Sequence, residues 1–451
     1  MKKNDHFYTM LKSLVIPITV QSFMLALVSA TDAAMLGFLD QTALSSVSLA
    51  GQIQFVLSLF IGGISIGAGI LVAQYWGKKD TVSIENVMPA ALRVNLVTGL
   101  LFTLTAFLVP RLLIGIFTSE PELIECGAIY IRAVSLSYLL CAVSQIYLIL
   151  LKNTGFAGRS SLISSSCVVI NIVLNALLIF GLLGFPAFGV AGAAYATVTA
   201  RAIELVWSIF ECFRPGRVRI VWCKLFQTSG RALSHDFWHY TKPVLGASLV
   251  WGVAFSSYSV IMGHMGSDAV AANSITSIAK SLLSCLIRGV SGGAGVLIGN
   301  VLGAGKLDLA KNYGRRLSHL AIAVGVLTGS SLIALSPLIV RIAPVEPSAT
   351  VYLRYMLIFC GINIMAQSVN TTVLDGIFCA GGDSKFDMIG NVFAMWCFSV
   401  PLGFLAAFVL KLPVLAVYCI VNLDEIVKLP AVYIRYKKYI WVKNITREHS
   451  E

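Results

Sequence analysis

Twelve apolar runs follow one another along the chain, at about 14–36, 48–74, 88–109, 129–150, 161–183, 188–210, 243–263, 269–301, 317–340, 352–378, 387–410 and 413–434. Each has the roughly 20 residues that an α-helix needs to cross a ~30 Å hydrocarbon core. The backbone in hydrocarbon must satisfy its own hydrogen bonds, and such runs do so as helices. The expected fold is therefore an all-α polytopic membrane protein with twelve transmembrane helices. Hydrophobic residues make up 57% of the 451 and charged residues 12%, against about a quarter charged in soluble domains. A net charge of +12 does not point to nucleic acid, because Lys and Arg sit in loops and in the C-terminal run Arg435, Lys437, Lys438, Lys443 and Arg447. The ten cysteines form no CxxC pair and fall mostly inside apolar runs, as Cys285, Cys360 and Cys397 do, so they read as small buried residues and not as a disulfide framework or metal site. The N-terminal MKKNDHFYTMLKSL has no cleavable-leader pattern, and the first run is expected to remain as a transmembrane helix.

Basic residues alternate by loop. Lys2, Lys3 and Lys12 precede the first run, Lys78 and Lys79 follow the second, Lys152 and Arg159 the fourth, Arg214, Arg217, Arg219, Lys224 and Arg231 the sixth, and Lys306, Lys311, Arg315 and Arg316 the eighth. The intervening loops hold Asp40, then Glu120, Glu122 and Glu125, then the uncharged GFPAFG. The positive-inside rule places both termini in the cytoplasm of a multi-pass protein of the cytoplasmic membrane. The one long polar break, Phe210 to Tyr240, divides the chain into an N-terminal lobe (1–210), a linker (211–240), a C-terminal lobe (241–436) and a basic tail (437–451). The lobes are repeats. At an offset of 226, MLGFLDQTALSSVSLA meets IMGHMGSDAVAANSIT, GISIGAGILVAQYWG meets GVSGGAGVLIGNVLG, and Pro17 meets Pro243; at 227, KNTGFAGRS meets CAGGDSKFD and Pro186 meets Pro413. Two pseudo-symmetric six-helix halves with a site near the midplane are a common transporter plan.

Asp32 is the acid that stands out. It lies eight residues before Asp40, roughly 12 Å inside its helix end at 1.5 Å per residue. A membrane-embedded acid is a functional-site candidate by default; the plain alternative is an acid that snorkels to the helix end. The repeat sharpens the choice, since Asp32 corresponds to Tyr258 and belongs to the first lobe alone. In the fifth run NIVLN sets Asn171 and Asn175 one turn apart, opposite Phe398 and Leu402 in the duplicate, and the sixth run carries Thr197. Asp32, Asn175 and Thr197 come out at about 12 to 15 Å depth and Asn171 at about 21 Å. Asn and Thr also serve as plain helix-helix hydrogen-bond groups. Four oxygen-bearing groups at similar depth make a candidate site for a proton or a hard cation such as Na⁺.

Together, ATDAAMLGFLD, GAGILVAQYWGKKD, NIVLNALLIFGLLGFPAFGVAGAAYATVTAR, GVLIGNVLGAGKLD and GIFCAGGDSKF make the chain resemble the multidrug and toxic compound extrusion (MATE) transporters over nearly its whole length. The resemblance implies two six-helix bundles forming a V-shaped cavity and export of a substrate in exchange for inward Na⁺ or H⁺. The DinF-like branch carries an N-lobe site of an aspartate on the first helix, a proline fifteen residues before it, an Asn-x-x-x-Asp pair on the fifth helix and a threonine on the sixth. Pro17, Asp32, Asn171 and Thr197 match, while Asn175 replaces the second acid. The branch resembling NorM uses a glutamate on the seventh helix and an aspartate on the tenth. Here KPVLGASLVWGVAFSS has Trp251 and Gly252 where that glutamate would stand, and Cys379 replaces the arginine of the family's LRxxGD run. The second lobe keeps acids of its own, Asp375 in VLDGIF and Asp424. Lys280 and Arg288, two turns apart, are expected either to pair structurally with Asp375 or to contact substrate. Arg201 and Glu204 read as an exposed i, i+3 pair.

The resulting expectation is a secondary antiporter that exports amphipathic organic compounds, cationic ones foremost, in exchange for H⁺ or Na⁺. Asp32 is the coupling group. Burial disfavours a carboxylate's charged form and a bound cation favours it, so ion and substrate occupancy can alternate. Pro17 is the hinge, since proline withholds a helix hydrogen bond, and Trp251 and Tyr258 are aromatic walls for cation-π contact. The alternative is a lipid-linked oligosaccharide flippase of the same superfamily, which calls for a cationic cavity that grips pyrophosphate. An enzyme is not expected: His6, His235, His239, His264, His319 and His449 lie at loops or helix ends, and no HExxH or GxSxG run occurs. The expected partners are the bilayer and a small organic substrate, with no nucleic acid, no cofactor, no metal beyond Na⁺ at Asp32, and a monomeric state.

Overall fold

The computed structural model describes residues 2–184, 186–220, 222–225, 230–343 and 346–447. Parts of the expected linker (226–229) and of the expected tail (448–451, with His449) lie outside the described residues. The described chain is helical throughout. α1 (Lys2–Gly37), α2 (Gln41–Lys78) and α3 (Thr81–Leu108) come first, then α4 (Pro110–Gly115), α5 (Pro121–Val134) and α6 (Leu136–Leu151). A π-helical turn, Lys152–Phe156, leads into α7 (Ala157–Phe180), and α8 (Val190–Cys212) ends the first repeat. The second holds α9 (Arg231–Gly263), α10 (Ser267–Gly303), α11 (Leu307–Ile342) and α12 (Pro347–Thr371), followed by α13 (Ser384–Asn391), α14 (Val400–Phe404), α15 (Val414–Val421) and α16 (Asp424–Lys437). π-helical stretches at Thr372–Phe378, Val392–Ser399 and Leu405–Val409 interrupt this half.

Nine helical stretches among the described residues are long and apolar enough to span a bilayer. One of them, Leu136–Phe180, holds both the fourth and the fifth expected spans. The sixth, α8, carries Arg201, Glu204 and Glu211. The twelfth is broken at Asn422 and Leu423 into α15 and α16. Asn363 donates its side-chain N–H to the Asn422 carbonyl, so the break leaves that freed backbone group partnered, as an interrupted membrane helix requires. The twelve-helix plan is thus accounted for.

The duplication is visible in the backbone. Lys79 and Gly305, 226 residues apart, both take left-handed φ (65° and 73°), and Gly155 and Gly382, 227 apart, do the same (87° and 78°). Each pair marks the same turn in each repeat. The chain divides into two compact units, one of residues 1–22, 77–79 and 246–451, the other of residues 23–76 and 80–245. Residues 1–22, expected in the N-terminal lobe, therefore group with the second repeat, and the start of α9 groups with the first.

Within the unit of residues 23–76 and 80–245, α3 packs on α6, and α8 packs on α6 and α7. Asn95 on α3 is fully buried and donates to the Ala142 carbonyl of α6 at 3.1 Å. Close by, a side chain on Gly99 would start 2.6 Å from Ala142 Cβ and 3.1 Å from Leu139 Cα. Small residues of this kind let membrane helices approach. Val97, Leu101, Leu104 and Leu108 on α3 are exposed, which is the stripe a lipid-facing helix presents. In the other unit, α11 and α12 pass each other at Gly329 and Gly361, and Ser291 and Ser368 donate to the carbonyls of Thr371 and Ala321. The segment expected as a basic tail does not hang free. Trp441 is fully buried against Gly314 and Gly381 and stacks on Tyr436, and Arg435 meets Asp383 through two hydrogen bonds of 2.9 and 2.8 Å.

Gly99→Val, by overpacking the α3–α6 contact, is expected to destabilise the protein by about 1–3 kcal/mol. Gly62→Ala, where nothing lies within 4 Å, serves as the control. Thermal unfolding of the two variants in detergent checks this, and equal melting temperatures would refute it.

Candidate functional site

Three helices bring the site together: the end of α1, the middle of α7 and the start of α8. Asp32 is half-buried on α1. Its Oδ1 accepts a 2.6 Å hydrogen bond from Asn175 Nδ2 on α7. The same amide donates to Asn171 Oδ1 at 3.3 Å, Asn171 Nδ2 donates to Thr197 Oγ1 at 3.4 Å, and Thr197 donates to its own helix at Ala193 O. The four residues thus form one relay. Asn175 is 1% exposed and its Oδ1, also buried, has no hydrogen-bond partner. A buried acceptor without a donor is costly, about 1–3 kcal/mol. The site is short of one donor.

The relay borders a cavity of about 490 Å³, lined among others by Asp32, Asn171, Thr197 and Arg201. Its apolar walls include Leu25, Val28, Phe55 and Tyr130. The aromatic walls of this cavity are therefore Phe55 and Tyr130. Trp251 and Tyr258, expected in that role, belong to the other unit, where Trp251 stacks on Phe255 and Tyr258 packs on a small core with Ala254, Met395 and Val400. Pro17 sits within the unbroken α1, fifteen residues before Asp32. It belongs to the unit of residues 1–22, 77–79 and 246–451, while Asp32 belongs to the other, so a single helix carries both.

Arg201 and Glu204 differ from the expected exposed pair. They do form an ion pair, at 2.7 Å, but Glu204 is fully buried and Arg201 faces the cavity. Ser144 also donates to Glu204, at 3.3 Å.

The residues singled out in the second repeat divide differently. Among the described residues Lys280, Arg288 and Asp375 form no ion pair; Lys280 donates to Asn363 Oδ1 at 3.4 Å and Arg288 to the Ser281 carbonyl at 3.2 Å. Asp375 is exposed within the π-helical stretch Thr372–Phe378. The expected structural pairing is taken over by Lys428. Its Nζ lies 3.1 Å from Glu425, 3.5 Å from Asp424 and 3.2 Å from Asn391 Oδ1, all within a buried cluster that also holds Asp387, bonded to Asn391. Glu425, Lys428 and Asp387 were not singled out from the sequence. The signal was present in DEIVK, whose i, i+3 and i, i+4 spacing puts both acids beside the lysine on one helix face.

An all-helical chain of bilayer-spanning helices, duplicated in order and holding a polar-walled cavity inside one unit, has the build of a membrane transporter. A family model described as MatE matches residues 17–177 and 243–405, one stretch in each repeat. The chain belongs to the MatE family and is a transport protein, not an enzyme. It is similar to the uncharacterized transporter YisQ of Bacillus subtilis (22% identical over 96% of this chain and 94% of that one) and to the probable multidrug resistance protein YoeA of the same organism (24% identical over 91% and 89%). Another relative is the probable multidrug resistance protein NorM of Listeria monocytogenes, 22% identical over 86% of this chain and 85% of that one. Among solved structures, a MOP superfamily transporter from Pyrococcus furiosus superposes with a TM-score of 0.87 at 17% identity (96% of this chain, 95% of that one). A variant of the Vibrio cholerae MATE transporter VcmN does so with a TM-score of 0.88 at 16% identity (98% and 99%). Likeness at these identities speaks to the fold.

A double-mutant cycle between Asp32→Asn and Asn175→Val in thermal unfolding should give a coupling of about 1–3 kcal/mol. Additive effects would mean that the two side chains do not meet.

Proposed function

We propose that this transporter is an antiporter that exports small amphipathic organic compounds bearing a positive charge, with Asp32 as the coupling group and Asn171, Asn175 and Thr197 as its supports. The observation that carries this is the relay at the cavity wall, in which a membrane-embedded carboxylate and a donor-deficient amide share one site. The relatives named as probable multidrug resistance proteins support the substrate class, and the Asp32 cluster favours a place nearer the DinF-like branch.

H⁺ is the better-supported coupling ion. The cluster has a single carboxylate, and the Asn175 amide nitrogen already occupies one of its oxygens, which leaves few free oxygens for the shell a hard cation wants. A protonated Asp32 becomes a donor. Ionised Asp32 attracts the substrate's positive charge; protonation removes that attraction. Pro17 leaves α1 one hydrogen bond short and so serves as its bending point, and transporters built on repeats alternate access by moving one repeat against the other. An inside-negative potential of about 100 mV adds about 2.3 kcal/mol per charge moved inward, roughly a 50-fold gradient. The orientation with both termini cytoplasmic, in the cytoplasmic membrane, and the monomeric state belong to the same proposal. A flippase reading has less support, since the cavity's one lining cation among the described residues, Arg201, already shares its charge with Glu204.

Efflux of a fluorescent organic cation from energised cells should fall to background in Asp32→Asn, collapse with a protonophore, and persist when Na⁺ is replaced by choline. Normal efflux in a folded, inserted Asp32→Asn protein would overturn the coupling role, and Na⁺ dependence would overturn the choice of ion.

A further inference from the structure

We infer that the side of α7 and α8 turned away from the cavity is a docking site for an anionic phospholipid, its phosphate held by Arg159 and Arg214 and its acyl chains laid along the two helices.

Three arginines converge on one carboxylate where α7 begins and α8 ends. Glu211, in the last turn of α8, is buried. Its Oε1 lies 2.6 Å from Arg217 Nη1 and 3.7 Å from Arg159 Nε, and its Oε2 lies 3.2 Å from Arg214 Nε. Gly216, at φ 79°, turns the chain just past α8. Arg217 then sits over the Phe156 ring at 4.3 Å, with its side chain 8% exposed. It is the inner partner of Glu211. Arg159 and Arg214 are the outer ones, their side chains 53% and 57% exposed. One carboxylate offsets only one of the three positive charges. Like charges held together repel, and among the described residues neither outer arginine has a second ion-pair partner. The group is short of an anion. Both outer guanidinia approach Glu211 through Nε, which leaves the Nη ends free to take a phosphate.

The apolar surroundings say which anion fits. Leu162, Val169 and Val173 are exposed along α7, and Val206, Phe210 and Phe213 along α8. At 3.6 residues per turn each set forms one stripe. Arg159 lies three residues before Leu162 and Arg214 four after Phe210, so each stripe runs into an exposed arginine. The α7 residues that border the Asp32 cavity, Ser164, Cys167 and Asn171, lie on the opposite side of that helix. α7 and α8 pack on each other. Two adjoining apolar stripes that end in one surplus of positive charge match a phospholipid, with acyl chains beside one phosphate. Basic groups between membrane helices bind anionic headgroups in this way. A free phosphate would leave the stripes without a role.

The test is native mass spectrometry of the purified protein, offered phosphatidylglycerol and phosphatidylcholine in equal amounts, with acyl chains of different length so that the two are resolved. The wild type is expected to retain phosphatidylglycerol about tenfold in preference, the worth of one charge-assisted hydrogen bond. Arg159→Gln/Arg214→Gln, which leaves Arg217 with Glu211, should bring the ratio to about one. Each single change should lower it part of the way, and the single variants carry the test should the double one fail to fold. Lys306→Gln/Lys385→Gln removes two exposed charges elsewhere and should leave the ratio at the wild-type value. Equal retention of the two lipids by the wild type overturns the inference, as do arginine variants that keep the preference or a lysine variant that loses it to the same degree. Excess inorganic phosphate at constant ionic strength should not change the ratio; loss of the preference in its presence would assign the arginines to a free anion and overturn the lipid.

Discussion

A charge removed from water must be met by a partner, and this requirement shapes both repeats. An ionised group in hydrocarbon costs several kcal/mol even after relaxation. In the unit of residues 23–76 and 80–245, the requirement is met at Asp32 by a chain of amides and a hydroxyl that runs from α1 through α7 to α8. It is met a turn further along α8 by Arg201 and Glu204. In the unit of residues 1–22, 77–79 and 246–451, Lys428 meets Asp424 and Glu425 at the start of α16, just after the break that interrupts the twelfth span. Each cluster ties together helices that apolar packing alone would leave free to slide, since lipid is as apolar as the helix surface.

Duplication supplied two copies of one backbone plan, and the copies keep their turns while they differ in their buried groups. The left-handed turns at Lys79 and Gly305, and at Gly155 and Gly382, are matched pairs. The acids are not. By position in the repeat Asp32 corresponds to Tyr258, Asn171 and Asn175 to Phe398 and Leu402, and Thr197 to Asp424. The first repeat thus holds the relay and the second a cluster centred on Lys428. Exchanging a buried polar group leaves the helix ladder intact, so the two copies can differ at single side chains and keep one backbone plan.

Much of the relay was legible in the sequence, because helix periodicity and depth from a membrane surface are one-dimensional quantities. Counting 1.5 Å per residue put Asp32, Asn175 and Thr197 at a common level with Asn171 deeper, and the hydrogen bonds run from Asp32 to Asn175, on to Asn171 and from there to Thr197. Lys280 and Arg288 were expected either to pair with Asp375 or to contact substrate, and spacing along the chain does not say which faces they occupy; among the described residues they do not pair with it. Arg201 and Glu204 had the right spacing, yet spacing could not reveal that one is buried and the other faces a cavity. Phe55 and Tyr130, which line the cavity beside Asp32, were not singled out, because an aromatic residue in an apolar run gives no sign along the chain of the side it presents.

By itself the sequence determined the helical class, the spans, the repeat and the one membrane-embedded acid that stands out in the first half. Each of these follows from hydropathy, periodicity or an uncompensated charge, which are read along the chain. Only the tertiary structure decided that residues 1–22 group with the second repeat, that Trp441 and its neighbours fold back instead of trailing, and that Arg201 turns toward a cavity shared with Asp32. Those outcomes depend on which helix faces meet across hundreds of residues, and that is set by the packing of many side chains at once.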